Sequence, residues 1–359
     1  MDICDARLSR QHLIGEKCTS PQDVVQWLGA VQAQDYPAAM WALGQRVEGA
    51  TYESVEKVFN EGFIIRTHVM RPTWHFVMPS DIRWMLELTA PRIRTALTHY
   101  DRKLELTDSV LTRARSIIER SLNSHVYLTR KELGEQLGVH GIPAHGQRLG
   151  HIMAHMELSS MICSGPRRGK QFTYALFEER VPKSKKIDKE EALTKLARMY
   201  FRSHGPAQLR DFAWWSGLTT SDARYALELI KSSFNEITTD GKTYWFSKDI
   251  ITVKGKKPTV HLLSIYDEYV IAYKDRSALG GERYVEQFLS KGNALTSVIV
   301  IDGIIAGTWK RLLMKKDIGI ILSPLRPLNN TEYRALEEEA EGYGAFFRAP
   351  VSLTVNHRK

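Results

Sequence analysis

PAHGQRLGHIMAHMELSSMICSGPRRGKQFTYAL, residues 143–176, is the stretch on which the fold turns. Pro143 opens a helix that runs to about Leu158, proline being pre-shaped for a first helical turn. Met161-Ile162-Cys163-Ser164 and Gln171-Phe172-Thr173-Tyr174-Ala175-Leu176 read as two strands, joined by a turn through Gly165-Pro166-Arg167-Arg168-Gly169-Lys170. Upstream, Thr107-Asp108 is a helix cap, and residues 109–122 carry Val110, Leu111, Ala114, Ile117, Ile118 and Leu122 at helical spacing. Thr129 caps a short helix, Arg130 to Leu137, which Gly138 closes. Three helices followed by a hairpin with a basic tip is the plan of a winged helix-turn-helix module.

The plan recurs on either side without a strict sequence period. Between about 190 and 247, the first helix holds Leu193, Leu196, Ala197, Tyr200 and Phe201. Pro206 starts the second, which ends at Trp214-Trp215-Ser216-Gly217, and Thr220-Ser221-Asp222 caps the third. Asp240-Gly241 then joins Glu236–Thr239 to Thr243–Phe246, a dipeptide made for a tight hairpin. A less regular copy occupies about 7–78. Ser20-Pro21 opens a helix with Val24, Leu28 and Val31 on one face, and a second helix covers Tyr52 to Asn60. Ile64–His68 and Thr73–Val77 flank Arg71-Pro72 as a hairpin. A further helix from Pro79 to about Tyr100 should kink or split at Pro91.

Lys183-Ser184-Lys185-Lys186 is a solvated linker. From about 255 the pattern changes to strands, with Asp302-Gly303 joining Ser297–Ile301 to Ile304–Trp309. A strand from Ile318 to Leu322, an acidic helix near 331–342 and a strand from Val351 to Val355 follow. The expected fold is therefore mainly α with β. It comprises three winged helix-turn-helix modules (1–100, 101–182, 183–254) and a small C-terminal β-rich α+β domain (255–359).

The 359 residues carry 50 Lys and Arg against 41 Asp and Glu, a formal net charge of +9, which favours a polyanionic partner. No apolar run is long enough to span a membrane, and the N-terminus lacks the pattern of a signal peptide. Three cysteines without a close pair argue against a disulfide framework or a Cys-rich zinc site, and the cytoplasm is the default compartment. No phosphate-cradling Gly-rich turn is present.

Gln32-Ala33-Gln34-Asp35-Tyr36-Pro37 is the segment that could carry chemistry. Pro37 disfavours helix just before it, so the helix from Pro21 is expected to end here, at its electronegative carbonyl end. Two amides and a carboxylate at such an end could position a water and tolerate a developing cation. They could equally be capping groups and nothing more, and the residues by themselves favour capping.

Leu28-Gly29-Ala30-Val31-Gln32-Ala33-Gln34-Asp35-Tyr36-Pro37-Ala38-Ala39-Met40-Trp41-Ala42 resembles the signature of the bacterial winged-helix crosslink-repair glycosylases, the AlkZ-like family. The resemblance continues at Arg66-Thr67-His68 with Arg71-Pro72-Thr73-Trp74-His75-Phe76-Val77, and at Phe212–Leu218. It recurs at Tyr266-Asp267-Glu268-Tyr269, at Tyr273–Arg276, and at Asp302-Gly303 with Gly307-Thr308-Trp309, so it spans nearly the whole chain. It implies tandem winged helices, a β-rich C-terminal domain, and excision of alkylated purines, some of them from interstrand crosslinks. It also implies that Gln32 and Gln34 are catalytic, as the Gln-x-Gln branch of the family requires. Glutamine does not titrate, so these amides would orient water and face an oxocarbenium-like sugar rather than act as a base. That chemistry suits a base that is already cationic. Asp35 could be a base, a cation stabiliser or a helix-end salt-bridge partner.

Candidate DNA contacts are Arg71 and His75 on the first hairpin, Arg167, Arg168 and Lys170 at the second hairpin tip, and Gln147 and Arg148 on the preceding helix. Each could instead be ordinary surface. Trp74 alternates with His75 and is expected in the core. His151 and His155 lie one turn apart with His145 nearby, but the zinc pattern is incomplete, so no metal and no cofactor is expected. The expected partner is double-stranded DNA with alkylated bases, bound by a monomer of a nucleoid-associated cytoplasmic enzyme. The competing reading is a non-enzymatic winged-helix regulator or DNA-damage binder.

Overall fold

The computed structural model describes residues 2–249, 258–280, 296–313 and 317–356. The expected boundary between residues 254 and 255 lies outside the described residues. The chain is a mixture of α and β elements that gathers into two compact units. One comprises Lys57–Leu193 with Ser216–Leu218, and the other Met1–Glu56, Thr194–Trp215 and Thr219–Lys359.

In the unit around Lys57–Leu193, local chemistry sets the helix starts. Thr107 accepts the Val110 N–H at 3.3 Å, and the helix Asp108–Leu122 follows. Thr129 and Glu132 form a reciprocal capping box ahead of Arg130–Val139: the Glu132 N–H reaches Thr129 Oγ1 at 3.2 Å and the Thr129 N–H reaches Glu132 Oε2 at 2.7 Å. Such caps each stabilise by about 0.5–2 kcal/mol. Gly138 lies inside this helix rather than closing it, and the next helix, Gly146–Leu158, begins three residues after Pro143. Ala114, Ile117, Ile118 and Leu122 meet Leu133, Leu137, Leu149, Ile152 and Met153 in one core. Full burial of a Leu or Ile side chain stabilises by about 1.5–3 kcal/mol, so this interface outweighs any single cap.

Strand Thr173–Leu176 sits between Leu128–Thr129 and Ile162–Ser164, antiparallel to both. Ile65–Val69 pairs antiparallel with Arg71–Val77, Ile65 opposite Val77 and Val69 opposite Arg71. Of the expected kink or split at Pro91 the split does not occur: the helix Ile82–Lys103 runs through the proline without dividing. Its buried residues Trp84, Met85, Leu86, Ala90 and Ile93 flank the proline on both sides. Burial on that scale exceeds the roughly 3 kcal/mol a helix-interior proline costs.

In the other unit, Val351–Val355, Ile318–Pro324, Ile304–Leu313, Val298–Ile301 and Val260–Leu263 form a five-stranded sheet in that order. Only the Ile318–Pro324 and Val351–Val355 pair is parallel. Leu8, Leu13 and Ile14 from the chain's start pack with Leu263, Tyr269, Val298 and Val300. The strand-rich region therefore shares its core with the first residues of the chain. The helix Tyr36–Gly44 lies against the helix Asn330–Phe347, where Trp41 meets Tyr343 and Phe346 edge-on at 4.9 and 5.4 Å between ring centroids. Phe234–Thr239 and Lys242–Ser247 form the expected hairpin, its turn made by Asp240 and Gly241 with φ of +50° and +68°.

A methyl group on Gly44 would lie 2.2 Å from Phe346 Cε2. Overpacking of this kind costs about 1–3 kcal/mol, against a helix-propensity gain of at most about 1 kcal/mol. Gly44→Ala should therefore lower the urea midpoint, and adding Phe346→Leu should restore part of it. A G44A midpoint at or above that of the wild type would show that this helix contact is loose enough to admit a methyl group.

Candidate active site

The segment Gln32-Ala33-Gln34 is not at the carboxyl end of a helix. The helix Pro21–Leu28 stops at Gly29, whose φ of +81° suits a residue without a side chain, and Val31–Gln32 is extended. Asp35 is the N-cap of the next helix, Tyr36–Gly44, and its Oδ1 accepts the Ala38 N–H at 3.0 Å. Pro37 opens that helix instead of closing the previous one, as proline in a first turn does. Asp35 is thus a capping residue at a helix start, not a salt-bridge partner at a helix end. The positive end of the following helix faces the segment, and the Asp35 carboxylate offsets it.

Gln32 and Ala33 are buried, whereas Gln34 and Asp35 are exposed. The pair of glutamines is therefore divided, one amide set into the protein and one at its surface. The Gln32 N–H donates to Glu268 Oε1 at 2.9 Å. The other oxygen of that carboxylate accepts the Trp215 indole N–H at 3.1 Å and lies 3.6 Å from His204 Nε2. Glu268 is 1 % exposed. His204 stacks on Tyr200, centroids 4.9 Å apart and planes 12° apart, and its Nδ1 is 2.8 Å from Ser203 Oγ. Burial pushes the His204 pKa below its ordinary value, with Glu268 pulling the other way.

The preceding residue, Asp267, holds the far end of the same helix. Arg46 grips it with two nitrogens, Nη1 to Oδ2 and Nη2 to Oδ1, both at 2.8 Å. Gln45 Nε2 adds a third donor at 3.0 Å. Arg46 also donates to the carbonyls of Gln11 and Ala42 at 2.9 and 2.7 Å. Trp41 Nε1 reaches the Leu262 carbonyl at 2.8 Å and Ser264 Oγ the Ala38 carbonyl at 2.9 Å. Two adjacent acids and their flanking strand thus hold the glutamine segment and the helix that follows it. The sequence reading gave Glu268 no role. A signal existed: two adjacent acids in an otherwise apolar run must be paired if the run is buried.

A second feature of the same unit escaped the sequence reading. A cleft of about 430 Å³ is lined by Trp27, Cys18, Lys195, Arg198 and Arg202, among others. The three cations recur at i, i+3 and i+7 on the helix Lys189–Ser203, spacing that sets them on one face. Arg202 lies 4.7 Å over the Trp27 ring.

In the unit around Lys57–Leu193, the antiparallel hairpin reverses the expected alternation. His75 is fully buried and Trp74 half-buried. The His75 Nδ1 lies 3.0 Å from the Thr73 carbonyl, and burial with the nearby Arg71 charge drives its pKa well below the ordinary value. His75 is therefore a neutral interior group and not a surface DNA contact. Arg71 is half-buried. Glu157 takes up the opposite strand, accepting the His68 backbone N–H at 2.8 Å and standing 2.6 Å from His68 Nδ1. Arg66 lies over the rings of Trp74 and Phe172 at 4.4 and 4.5 Å.

The second hairpin tip is less available than its three cations suggest. Arg168 donates to Glu132 Oε1 at 2.7 Å and to the Tyr127 carbonyl at 2.6 Å. Arg167 lies 5.2 Å over Phe172, with its N–H on Asn60 Oδ1 at 2.8 Å. Lys170 is exposed. Gln147 is exposed too, while Arg148 is tied to the Leu104 carbonyl at 2.9 Å, which finishes the helix Ile82–Lys103. His151 and His155 each bond one oxygen of Asp101 at 2.9 Å. Among the described residues no group of three His, Cys, Asp or Glu side chains could hold a metal ion, and no helix is long and apolar enough to cross a membrane.

The family model described as "DNA glycosylase AlkZ-like" matches residues 25–346. The chain is 24 % identical over 349 residues to an interstrand DNA cross-link repair glycosylase of Streptomyces sahachiroi, covering 93 % of this chain and 92 % of that one. Its fold is similar to the solved structure of the Streptomyces sahachiroi DNA glycosylase AlkZ, with a TM-score of 0.76, 22 % identity and 98 % of each chain covered.

Two outcomes test this geometry. Asp267→Asn leaves the buried Arg46 charge without its partner and should destabilise by about 3–5 kcal/mol in chemical unfolding; a loss within error of zero would mean that the pair is dispensable. The Thr129 cap bonds and then Arg168 lower the Glu132 pKa from 4.5 to about 2. The folded carboxyl is the stronger acid, so its stabilisation is fully present above pH 4.5 and is lost as pH falls through about 2. Glu132→Gln should flatten the acid arm of stability over that window, measured as unfolding midpoint against pH. An unchanged slope would remove the capping box from the account.

Proposed function

The chain belongs to the AlkZ-like DNA glycosylase family, and on that premise we propose that Gln32 and Gln34 form the excision site for cationic, alkylated purines in double-stranded DNA. The reading is carried by the division of the two amides, Gln32 buried on Glu268 and Gln34 exposed ahead of the Asp35-capped helix. An uncharged amide oxygen can accept a hydrogen bond from a water and direct it, but it cannot remove a proton permanently. The leaving group must therefore need no protonation. A purine alkylated at N7 or N3 is already positive, and its glycosidic bond weakens accordingly. As the C1′–N9 bond breaks, its electron pair returns to the base and neutralises it. The sugar becomes oxocarbenium-like, water bonds to C1′, and the water's proton passes to solvent, leaving an abasic site. The Asp35 carboxylate offsets the positive helix end that faces the segment, so that end does not oppose a cationic sugar.

We extend the substrate class to interstrand crosslinks joined through N7 of purines; the relative from Streptomyces sahachiroi is named for interstrand DNA cross-link repair. We read the helix-and-hairpin units of 1–100, 101–182 and 183–254 as winged-helix modules and 255–359 as the domain that braces the first. Gln32 and Gln34 support placing the chain in the Gln-x-Gln branch. Backbone phosphates are then met by Arg71, Lys170, Gln147 and the Lys195, Arg198 and Arg202 face, with Arg167, Arg168 and Arg148 holding the protein together first. The enzyme works as a monomer without cofactor or metal, on nucleoid DNA in the cytoplasm.

Release of N7-methylguanine from a methylated duplex tests the assignment. Gln32→Ala with Gln34→Ala should reduce the single-turnover rate by at least about 100-fold, the scale on which loss of positioning acts, and leave DNA affinity within about 2-fold, because phosphate contacts dominate binding. Excision at the wild-type rate by the double variant would remove the two glutamines from the chemistry.

A further inference from the structure

We propose that Glu268 is a positioning residue for the excision reaction, holding Gln32 in register through the bond from the Gln32 backbone N–H to its carboxylate; this rests on the reading of Gln32 given above. A buried carboxylate retains its place only when its oxygens are satisfied. Here one oxygen takes the Gln32 N–H and the other the Trp215 indole N–H, at 2.9 and 3.1 Å. His204, whose pKa burial lowers, stands beside the second oxygen. Two neutral N–H groups, of Gln32 and Trp215, therefore hold the two oxygens of Glu268, while Arg46 is committed to the neighbouring Asp267.

The geometry has a specific consequence. Gln32 and Ala33 are buried and Gln34 is exposed, so the backbone of this short segment decides which glutamine points inward. An N–H anchored at residue 32 fixes the peptide plane from which the Gln32 side chain departs. The anchor itself is rigid on three sides. Asp267 is locked by Arg46, Trp215 is fully buried, and Tyr269 donates its hydroxyl proton to the Gly303 carbonyl at 3.0 Å. Glu268 needs both oxygens as acceptors. A glutamine in its place has one oxygen and one NH2, so it can serve only one of the two donors and sets an N–H against the other. Glu268→Gln therefore keeps the shape and breaks the registration. Trp215→Phe removes the second donor and leaves the first, freeing the carboxylate to swing.

Three readouts on the full-length protein separate the possibilities: the single-turnover rate of N7-methylguanine release, the dissociation constant for the same duplex, and the hydrogen-exchange protection of the Gln32 amide in protein labelled with ¹⁵N-glutamine. With E268Q we expect protection at Gln32 to fall and the excision rate to drop about 10- to 100-fold, the effect of a misplacement of about 1 Å. The dissociation constant should stay within about 2-fold and the thermal midpoint close to that of the wild type. W215F should move the rate in the same direction by less, and it answers the question if E268Q does not fold. Loss of protection at Gln32 with an undiminished rate, in a protein whose Gln32→Ala variant is inactive, would overturn the positioning role and leave the catalytic glutamine standing. Full activity of Gln32→Ala would instead remove the reading of Gln32 on which the role depends. A fall in rate matched by an equal fall in DNA affinity or in folded fraction would make Glu268 a structural carboxylate and overturn the proposal.

Discussion

A guanidinium and a carboxylate that meet out of water organise the rest of this unit. Arg46 and Asp267 lie 221 residues apart in the chain and are almost wholly buried. Two charges so placed are tolerated only with close geometry and every remaining donor satisfied, and both conditions hold: Arg46 is bidentate on Asp267 and donates to two backbone carbonyls as well. The constraint propagates along the chain in both directions. On one side it fixes the end of the helix Tyr36–Gly44, and with it the Asp35 cap and the glutamines before it. On the other it fixes the turn into Glu268, whose carboxylate returns to Gln32. The acids at 267 and 268 hold the two ends of one short segment.

The elements were largely legible because they rest on local rules. The caps at Thr107 and Thr129, the Asp240-Gly241 turn and the strands near 298–309 all follow from short-range chemistry. What was not legible was long-range. Periodicity cannot say that Leu8 and Ile14 share a core with Val298 and Val300, nor that a proline in the interior of Ile82–Lys103 is tolerated because apolar residues flank it. Pro37 misled for a related reason. A proline disfavours helix before it and favours helix after it, and only the Asp35 side chain, turned onto the Ala38 N–H, distinguishes the two.

The candidate site divides along the same line. The resemblance of the Gln32-Ala33-Gln34 stretch to a known signature identified the segment, and physical reading of the residues placed it at the wrong end of a helix. His75 and Trp74 show the limit of alternation: it says that two neighbours face opposite ways and leaves open which faces inward. The basic hairpin tip shows the limit of counting charge. Arg168 is engaged by Glu132, the same acid that completes the Thr129 capping box, so a cation that looked available already holds a helix start.

The bond from Gln32 to Glu268 spans 236 residues. During synthesis the glutamine segment leaves the ribosome long before its carboxylate exists. At about 5–20 residues per second the interval is on the order of 10–50 s. Through that time the segment lacks its anchor, and a nascent or prematurely terminated chain cannot assemble it. A chain that stops short of residue 268 therefore lacks the anchor of the segment in which the excision site is proposed, whatever else of it has folded.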